Sequence, residues 1–382
     1  MSFGIYLHIP FCTRRCDYCD FYSTVLSDES QTTRLLAAAA QELQLSFSTR
    51  QWPAAVDTIY IGGGTPSLIE AEHYAGFLKA LILLRHLAPE AELTIEANPD
   101  SLTPVWLAAL REIGVNRLSI GIQSLQDSLL RRLGRLHTAV EAIRAVEMAR
   151  QAGFDNISLD FIFAIPGQTP GELAADLEFL LELRPQHVAW YCLTWEQGTP
   201  LHQRLQTNPD LKLPADDEAD RFLQIHAAMT AAGYEHYEVS NYALPGFRSR
   251  HNSGYWLRQP CLAVGPSASS FDGVTRWTNQ ADLETWLESL RQGRAPVATQ
   301  ETVTGESLLL ELLYLGLRRL DGVSRADLRQ ALGDAAYYRL VKKLETSRFS
   351  AYILETTDRI KLTLPGILLL DEIILELADC NE

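Results

Sequence analysis

Three cysteines within eight residues constrain this chain more than any other feature. Cys12, Cys16 and Cys19 lie in the stretch His8-Ile9-Pro10-Phe11-Cys12-Thr13-Arg14-Arg15-Cys16-Asp17-Tyr18-Cys19-Asp20, after a short apolar run and before a helical pattern. A thiolate is a soft ligand that suits zinc or an iron-sulfur cluster, and a loop this short can wrap three thiolates around one inorganic centre. Iron-sulfur cubanes usually carry four cysteine ligands, so three at offsets 0, 4 and 7 imply one iron open to an exchangeable ligand. The competing reading is a Cys3His zinc site completed by His8. Structural zinc sites usually pair their ligands as two separated couples, which this stretch does not do.

The Cys-x3-Cys-x2-Cys spacing resembles the signature of the radical S-adenosylmethionine (SAM) superfamily. Tyr6-Leu7-His8-Ile9-Pro10-Phe11-Cys12 is similar to the version carried by oxygen-independent coproporphyrinogen III oxidases and their relatives. The resemblance implies a [4Fe-4S] cluster on the three cysteines, with the amino and carboxylate groups of SAM on the open iron. It also implies reductive cleavage of SAM to methionine and a 5'-deoxyadenosyl radical, chemistry that the cofactors perform and the protein orients.

At 382 residues the chain is long enough for one large domain and a smaller appendage, and its 47% hydrophobic content supports a sizeable core. A formal net charge of -15 excludes non-specific nucleic-acid binding, which needs Lys and Arg on phosphates. Met1-Ser2-Phe3-Gly4 leads straight into a strand pattern, so no signal peptide is expected. Acidic residues such as Glu311, Asp371 and Glu372 interrupt the apolar stretches, so no membrane span is expected either. Clustered free thiols then point to a cytoplasmic protein. Cys192, Cys261 and Cys380 stand alone in sequence and read as buried small hydrophobes.

Short β-branched runs alternate with longer helical patterns up to about residue 233. The strands are expected at residues 5–9, 57–61, 93–97, 117–122, 157–163 and 188–193. Helices are expected at 31–47, 70–87, 104–113, 139–152, 171–183 and 216–232, with Ser67-x-x-Glu70 as a capping box. Six βα units imply a parallel sheet with right-handed crossovers, either barrel-like or open and doubly wound. Unusual residues at the carboxyl end of every strand favour the barrel, where chemistry gathers at that end. The fold class expected is therefore α/β, and the superfamily resemblance makes the barrel a partial (β/α)6 one with a wide lateral opening. The domains expected are a barrel over 1–235, an extension over 236–299 and a C-terminal unit over 300–382. A loop is read at 209–217 and a linker at 293–299.

Gly62-Gly63-Gly64-Thr65-Pro66 lacks the Gly-Lys-Ser/Thr ending of a P-loop and reads by itself as a tight strand-to-helix turn. By the resemblance, Gly63, Gly64 and Thr65 contact the methionine end of SAM. Glu96, Gln123, Arg135 and Asp160 fall at strand ends or just beyond; a carboxylate suits ribose hydroxyls and arginine suits a carboxylate, though such residues also serve as caps or structural ion pairs. The resemblance places Glu96 against the SAM near the cluster, and Gln123, Arg135 and Asp160 around the adenosyl group or a second SAM. Tyr6 and Tyr18 flank the cluster and would shield it or touch adenine.

Arg248-Ser249-Arg250-His251-Asn252-Ser253-Gly254-Tyr255-Trp256-Leu257-Arg258 carries three arginines and no acid. Haem has an iron that accepts imidazole, a face that suits aromatics and propionates that suit arginine; a surface loop with core aromatics is the plainer reading. The His-Asn-x-x-Tyr-Trp pattern at 251–256 is similar to the motif of HemW-type haem chaperones, in which the histidine binds haem. Two departures from the oxidases point the same way: Phe21 stands where they carry a further cysteine, and only eleven residues precede Cys12. The resemblance, which spans nearly the whole chain, thus implies a chaperone that passes haem to an acceptor such as a respiratory haemoprotein or bacterioferritin. It implies no coproporphyrinogen oxidase activity and leaves a homodimer open; the alternative is a radical SAM enzyme acting on a porphyrinogen. The C-terminal unit has the element order of a winged helix. Residues 301–382 hold 10 Lys and Arg against 14 Asp and Glu, the wrong balance for DNA, so a lid or docking module over the barrel mouth is expected.

Overall fold

The structure is a computed structural model that describes residues 2–378, so Cys380 lies outside the described residues. Six strands, β1 (Gly4–Ile9), β2 (Ala55–Gly63), β3 (His86–Ala97), β4 (Arg117–Gln123), β5 (Ile157–Phe163) and β6 (His187–Cys192), run parallel and neighbour one another in that order. The connections carry α1 (Glu29–Thr49), α2 (Ala71–Leu84), α3 (Pro104–Glu112), α4 (Asp127–Arg132), α5 (Ala139–Gln151) and α6 (Pro170–Leu183); α7 (Pro200–Thr207) and α8 (Ala215–Ala231) follow β6.

Strand alternation gives the sheet two unlike faces. Ile5, Leu7, Ile59, Ile61, Ile95, Leu118, Ile120, Leu159 and Phe161 are fully buried in the main hydrophobic core. Each contributes about 1.5–3 kcal/mol. The other face carries Tyr6, Tyr60, Thr94, Arg117, Ser119, Ser158, Asp160 and His187, register partners from strand to strand. A polar interior is tolerable only when its groups find partners. Tyr60 donates to Glu96 at 2.8 Å, Ser119 to Asp160 at 3.1 Å, and His187 joins Ser158 and Tyr237 at 2.7 Å each.

Beyond β6 lie β7 (Glu235–Glu238) and β8 (Asn241–Ala243), antiparallel. On the opposite side β9 (Cys261–Val264) pairs parallel with β1, and β10 (Ser269–Phe271), β11 (Thr275–Asn279) and β12 (Val297–Thr302) continue antiparallel. The twelve-stranded sheet therefore ends on β12 and β7, which do not pair, as a partial barrel requires. Strand β12 corrects the expected linker at 293–299, because its exposed polar residues hide a ladder with β11. A second correction concerns Ser67. Its hydroxyl meets Ser101 and the Asn98 N–H, and α2 begins without a side-chain cap; the capping boxes are Thr138–Glu141 on α5 and Thr169–Glu172 on α6. Residues 86–87, expected in α2, open β3 instead.

The extension is tied to α1 by a buried carboxylate. Glu42 accepts from Gly265 N at 2.9 Å, from Asn279 Nδ2 at 2.6 Å and from Trp286 Nε1, on α10 (Leu283–Arg291), at 3.0 Å. Helix α9 (Arg250–Trp256) closes the amino ends of β1 to β3, with Glu92 of β3 accepting from the N–H groups of Arg250 and His251 at 3.0 Å each. The C-terminal unit is winged-helix-like: α11 (Gly305–Leu317), β13 (Val323–Ser324), α12 (Arg325–Leu332), α13 (Asp334–Thr346), β14 (Ile353–Glu355), β15 (Arg359–Leu362), α14 (Leu364–Ile367) and α15 (Leu370–Ala378). It docks beside α9 and not over the mouth: Glu311 pairs with Arg258 at 2.5 Å and with Arg276 at 2.7 Å, and Arg318 O accepts from Val239 N at 3.0 Å. The expected lid is thus a clamp on the opposite end. Among the described residues no helix is long and apolar enough to cross a membrane.

Replacing Glu42 by Ala strands three buried donors at once, and the expected loss of stability is on the order of 3 kcal/mol. Urea unfolding checks it; Glu42→Gln, which keeps an acceptor, should lose less.

Candidate cofactor cavity and its relatives

The three cysteines sit on a loop that backbone contacts hold against the glycine run. Phe11 and Cys12 pair with Thr24 and Val25, while Gly64 N donates to Ile9 O and Thr65 N to Phe11 O, both at 2.7 Å. A Cβ at Gly64 would fall 2.5 Å from Phe11 O and 3.0 Å from Cys12 Sγ, and Gly63 has φ +115°. Side chains are therefore excluded at both positions by the loop packed on them.

The cavity above this contact has a volume of about 400 Å³ and lies at the carboxyl ends of the strands. Cys12, Cys16, Cys19, Tyr18, Gly63, Gly64, Thr65, Glu96, Gln123, Arg135 and Asp160 all line it. Eleven of the thirteen residues singled out in the sequence thus meet in one place. Tyr6 does not line it: one layer lower, its ring stacks on Tyr60 (centroids 6.1 Å apart) and its hydroxyl meets His8 Nδ1 at 3.1 Å. His251 lies at the far end of the barrel, buried, with Nδ1 on Thr58 Oγ1 at 2.8 Å and Nε2 on Tyr255 OH at 2.9 Å. Burial pushes its imidazole down to about 3. The arginines around it are also engaged, Arg248 with Glu235 and Asp321, Arg250 with Glu90 O, and Arg258 with Glu311.

The donor set fits an iron-sulfur cluster better than zinc. His8, the fourth ligand of the zinc reading, has Nδ1 on Tyr6 and Nε2 on Tyr22 O at 3.1 Å. Thr65 Oγ1 reaches Cys12 Sγ at 3.5 Å and Arg135 Nη1 reaches Cys16 Sγ at 3.6 Å, the kind of donor contact that tunes sulfur-ligated iron. Burial raises the Cys12 thiol above its ordinary range and pushes Cys19 up to about 11; a bound cationic centre would reverse both shifts.

The remaining wall sets two buried carboxylates, Glu96 and Asp160, beside Arg135. Glu96 accepts from Tyr60 and from Gly63 N at 3.0 Å, and burial pushes it up to about 7. Asp160 is pushed up to about 6 by the same cause, against the pull of Arg117. Arg135 binds Asn98 Oδ1 and Gly121 O at 2.8 Å, and Asn98 donates to Thr65 at 3.2 Å. Asn98 is therefore a site residue that sequence reasoning passed over, although it follows Glu96 by only two positions. Gln123 adopts φ +69° at the end of β4, a strained backbone of the sort that gathers at functional sites. Cys192 is corrected too: it is half-buried on the cavity wall at the end of β6, whereas Cys261 is buried as expected.

Residues 6–180 match the family model of the radical SAM superfamily. Curated relatives include heme chaperone HemW of Mycobacterium tuberculosis, 38% identical over 86% of this chain and 85% of that protein, and heme chaperone HemW of Bacillus subtilis, 34% identical over 86% of each. The chain belongs to the HemW family of the radical SAM superfamily. Among solved structures, coproporphyrinogen III oxidase (HemN) from Escherichia coli, a radical SAM enzyme, superposes with a TM-score of 0.84 over 99% of this chain and 90% of that one. At 22% identity it shows that the fold is shared.

Glu96 is neutral in the fold at acid pH and ionised above about 7, whereas its unfolded value is 4.5. Its stabilising contribution is thus full below 4.5 and lost as pH rises through about 7. Glu96→Gln, which stays neutral, should therefore gain stability relative to the native chain between pH 5 and pH 8. Melting temperatures across that range check it, and a constant gap would contradict the burial argument.

Proposed function

We propose that this chain is a haem chaperone that binds haem and passes it to an acceptor haemoprotein, with a [4Fe-4S] cluster on Cys12, Cys16 and Cys19 and SAM in the adjoining cavity. The observation that carries the reading is the convergence of three thiols on one cavity wall in a chain 38% identical to a named heme chaperone. When bound, the cluster and SAM supply one-electron chemistry; the chain's own residues bind, orient and shield. Thr65 and Arg135 donate to the cysteine sulfurs, and Gly63 and Gly64 leave room beside them. Ionised Glu96 suits a cationic amino group, Asp160 and Gln123 suit nucleoside hydroxyls and base edges, and Tyr18 closes the wall by the cluster. Tyr6 acts from one layer behind, through Tyr60.

Residues 1–235 then hold the cofactors, 236–299 present the His-Asn-x-x-Tyr-Trp helix, and 300–382 clamp that helix from outside. Iron ligation by His251 requires Tyr255 to leave Nε2. The acceptor is a protein with an open haem site, such as a respiratory haemoprotein or bacterioferritin, and the setting is the cytoplasm, where clustered thiols stay reduced.

Anaerobic reconstitution should yield about four irons per chain in the native protein and a large deficit in Cys16→Ala. SAM should change the EPR signal of the reduced cluster. Haem-loaded protein mixed with an apo-haemoprotein should lose haem to it, while coproporphyrinogen III should release no carbon dioxide. Release of carbon dioxide, or retention of haem by the donor, would overturn the chaperone reading.

A further inference from the structure

The inner face of β2 joins the cofactor cavity to the histidine of the His-Asn-x-x-Tyr-Trp motif. Thr58, Tyr60 and Gly62 alternate along that face, spanning about 13 Å. At the lower step Thr58 Oγ1 meets His251 Nδ1 at 2.8 Å. At the middle step the Tyr60 ring lies against the same imidazole, with centroids 5.1 Å apart and planes 28° from parallel. Its hydroxyl donates to Glu96 Oε1 at 2.8 Å. Glu96 lines the cavity and takes the Gly63 N–H on its other oxygen. One tyrosine thus touches both the cavity carboxylate and the motif imidazole.

Close packing keeps this contact from slipping. A Cβ at Gly62 would fall 2.8 Å from Tyr60 Cε1 and 2.9 Å from the Glu96 carboxyl carbon, so both side chains rest on bare backbone. A Cβ at Gly4, the register partner of Thr58, would fall 3.2 Å from the His251 ring. Tyr6 closes another side, its centroid 6.1 Å from that of Tyr60 and 6.4 Å from that of His251. Tyr60 is buried, and a buried phenol that lost its carboxylate would need another acceptor. The ring therefore follows Glu96.

The chemistry of the carboxylate sets the direction of the effect. Burial pushes Glu96 up to about 7, so without a cation beside it the group is partly neutral at neutral pH. An ammonium group seated next to it ionises it, and a hydrogen bond to an ionised acceptor is about twice as strong as one to a neutral acceptor. A firmly held Tyr60 fixes the plane of the imidazole. Groups that fix the ring of a metal-ligating histidine raise its affinity for the metal.

We propose that Tyr60 is a positioning residue that couples the two sites: a cationic amino-acid ligand such as SAM on Glu96 tightens haem on His251, and haem tightens SAM by the same factor. The proposal rests on the chaperone reading, and it gives the cavity a use that needs no cleavage of its ligand.

The test is anaerobic titration of the full-length, cluster-loaded protein with haemin, with and without saturating SAM, the SAM bound being measured by equilibrium dialysis. In the native protein SAM should raise haem affinity about fivefold or more, and haem should raise SAM affinity by the same factor. Tyr60→Phe, which keeps the ring and deletes the hydroxyl, should remove this dependence. Glu96→Gln, which keeps an acceptor but cannot ionise, should remove it too and serves where Tyr60→Phe does not fold. Thr58→Val deletes the Nδ1 partner and leaves the link to Glu96, so it should weaken haem binding in both conditions and keep their ratio. Native haem affinity that SAM leaves unchanged or lowers would overturn the coupling and leave the chaperone reading standing. The native dependence persisting in Tyr60→Phe or Glu96→Gln, or lost in Thr58→Val, would do the same. Failure of the native protein to bind haem would overturn both readings.

Discussion

The cofactor cavity depends on a backbone-to-backbone contact. Between Cys12 and Cys19 the chain has no helix and no strand residue beyond Cys12 itself, so it cannot hold three thiols in place by itself. The glycine run at the end of β2 supplies the support, offering Gly64 and Thr65 N–H groups to carbonyls of the incoming loop. A methyl group at Gly64 would meet both a carbonyl and a thiol. Glu96 in turn accepts from Gly63 N, Tyr60 holds Glu96, and the polar interior of the barrel follows downward from there.

That interior explains how one sheet serves two ends. Its outer face is an ordinary apolar core, whereas its inner face links the cavity floor to the elements at the strands' amino ends. Asp160 meets Ser158, Ser158 meets His187, and His187 meets Tyr237, whose hydroxyl lies 3.4 Å from Ser249 N at the start of α9. Much of the cost of burying these polar groups is offset by pairing within the chain, while among the described residues Arg117 Nε and Nη1 and Thr94 Oγ1 have no hydrogen-bond partner and Arg117 acts through its charge on Asp160.

The alternation of β-branched runs with helical periods made five of the six central strands legible to within two residues, because buried parallel strands read as short apolar runs, whereas β3 begins at His86, seven residues before its apolar run. The cysteine spacing made the cavity legible, and strand-end residues followed from where such barrels place their chemistry. Less visible was everything that depends on partners distant in sequence. Strand β12 is exposed and polar and becomes a strand only through β11. Ser67 matched a capping pattern, yet Asn98 and Ser101, brought close by β3, claimed its hydroxyl. Asn98 has no mark in the local sequence that sets it apart, and its place in the site comes from Arg135, 37 residues away. The packing of α11 to α15 beside α9 depends on Glu311 and Arg318 meeting partners tens of residues away, and local sequence carries no sign of that.

An open sheet has two rims, and each invites addition of a foreign strand. Here the rims are guarded differently. Strand β12 presents Gln300, Glu301 and neighbouring exposed polar residues, which a second chain would have to dehydrate. At the other rim Glu238 bridges to Arg319, so the C-terminal unit occupies the place that an intruding strand would take. Removing that unit would therefore do more than shorten the protein: it would uncover β7 and turn a closed boundary into a template for aggregation.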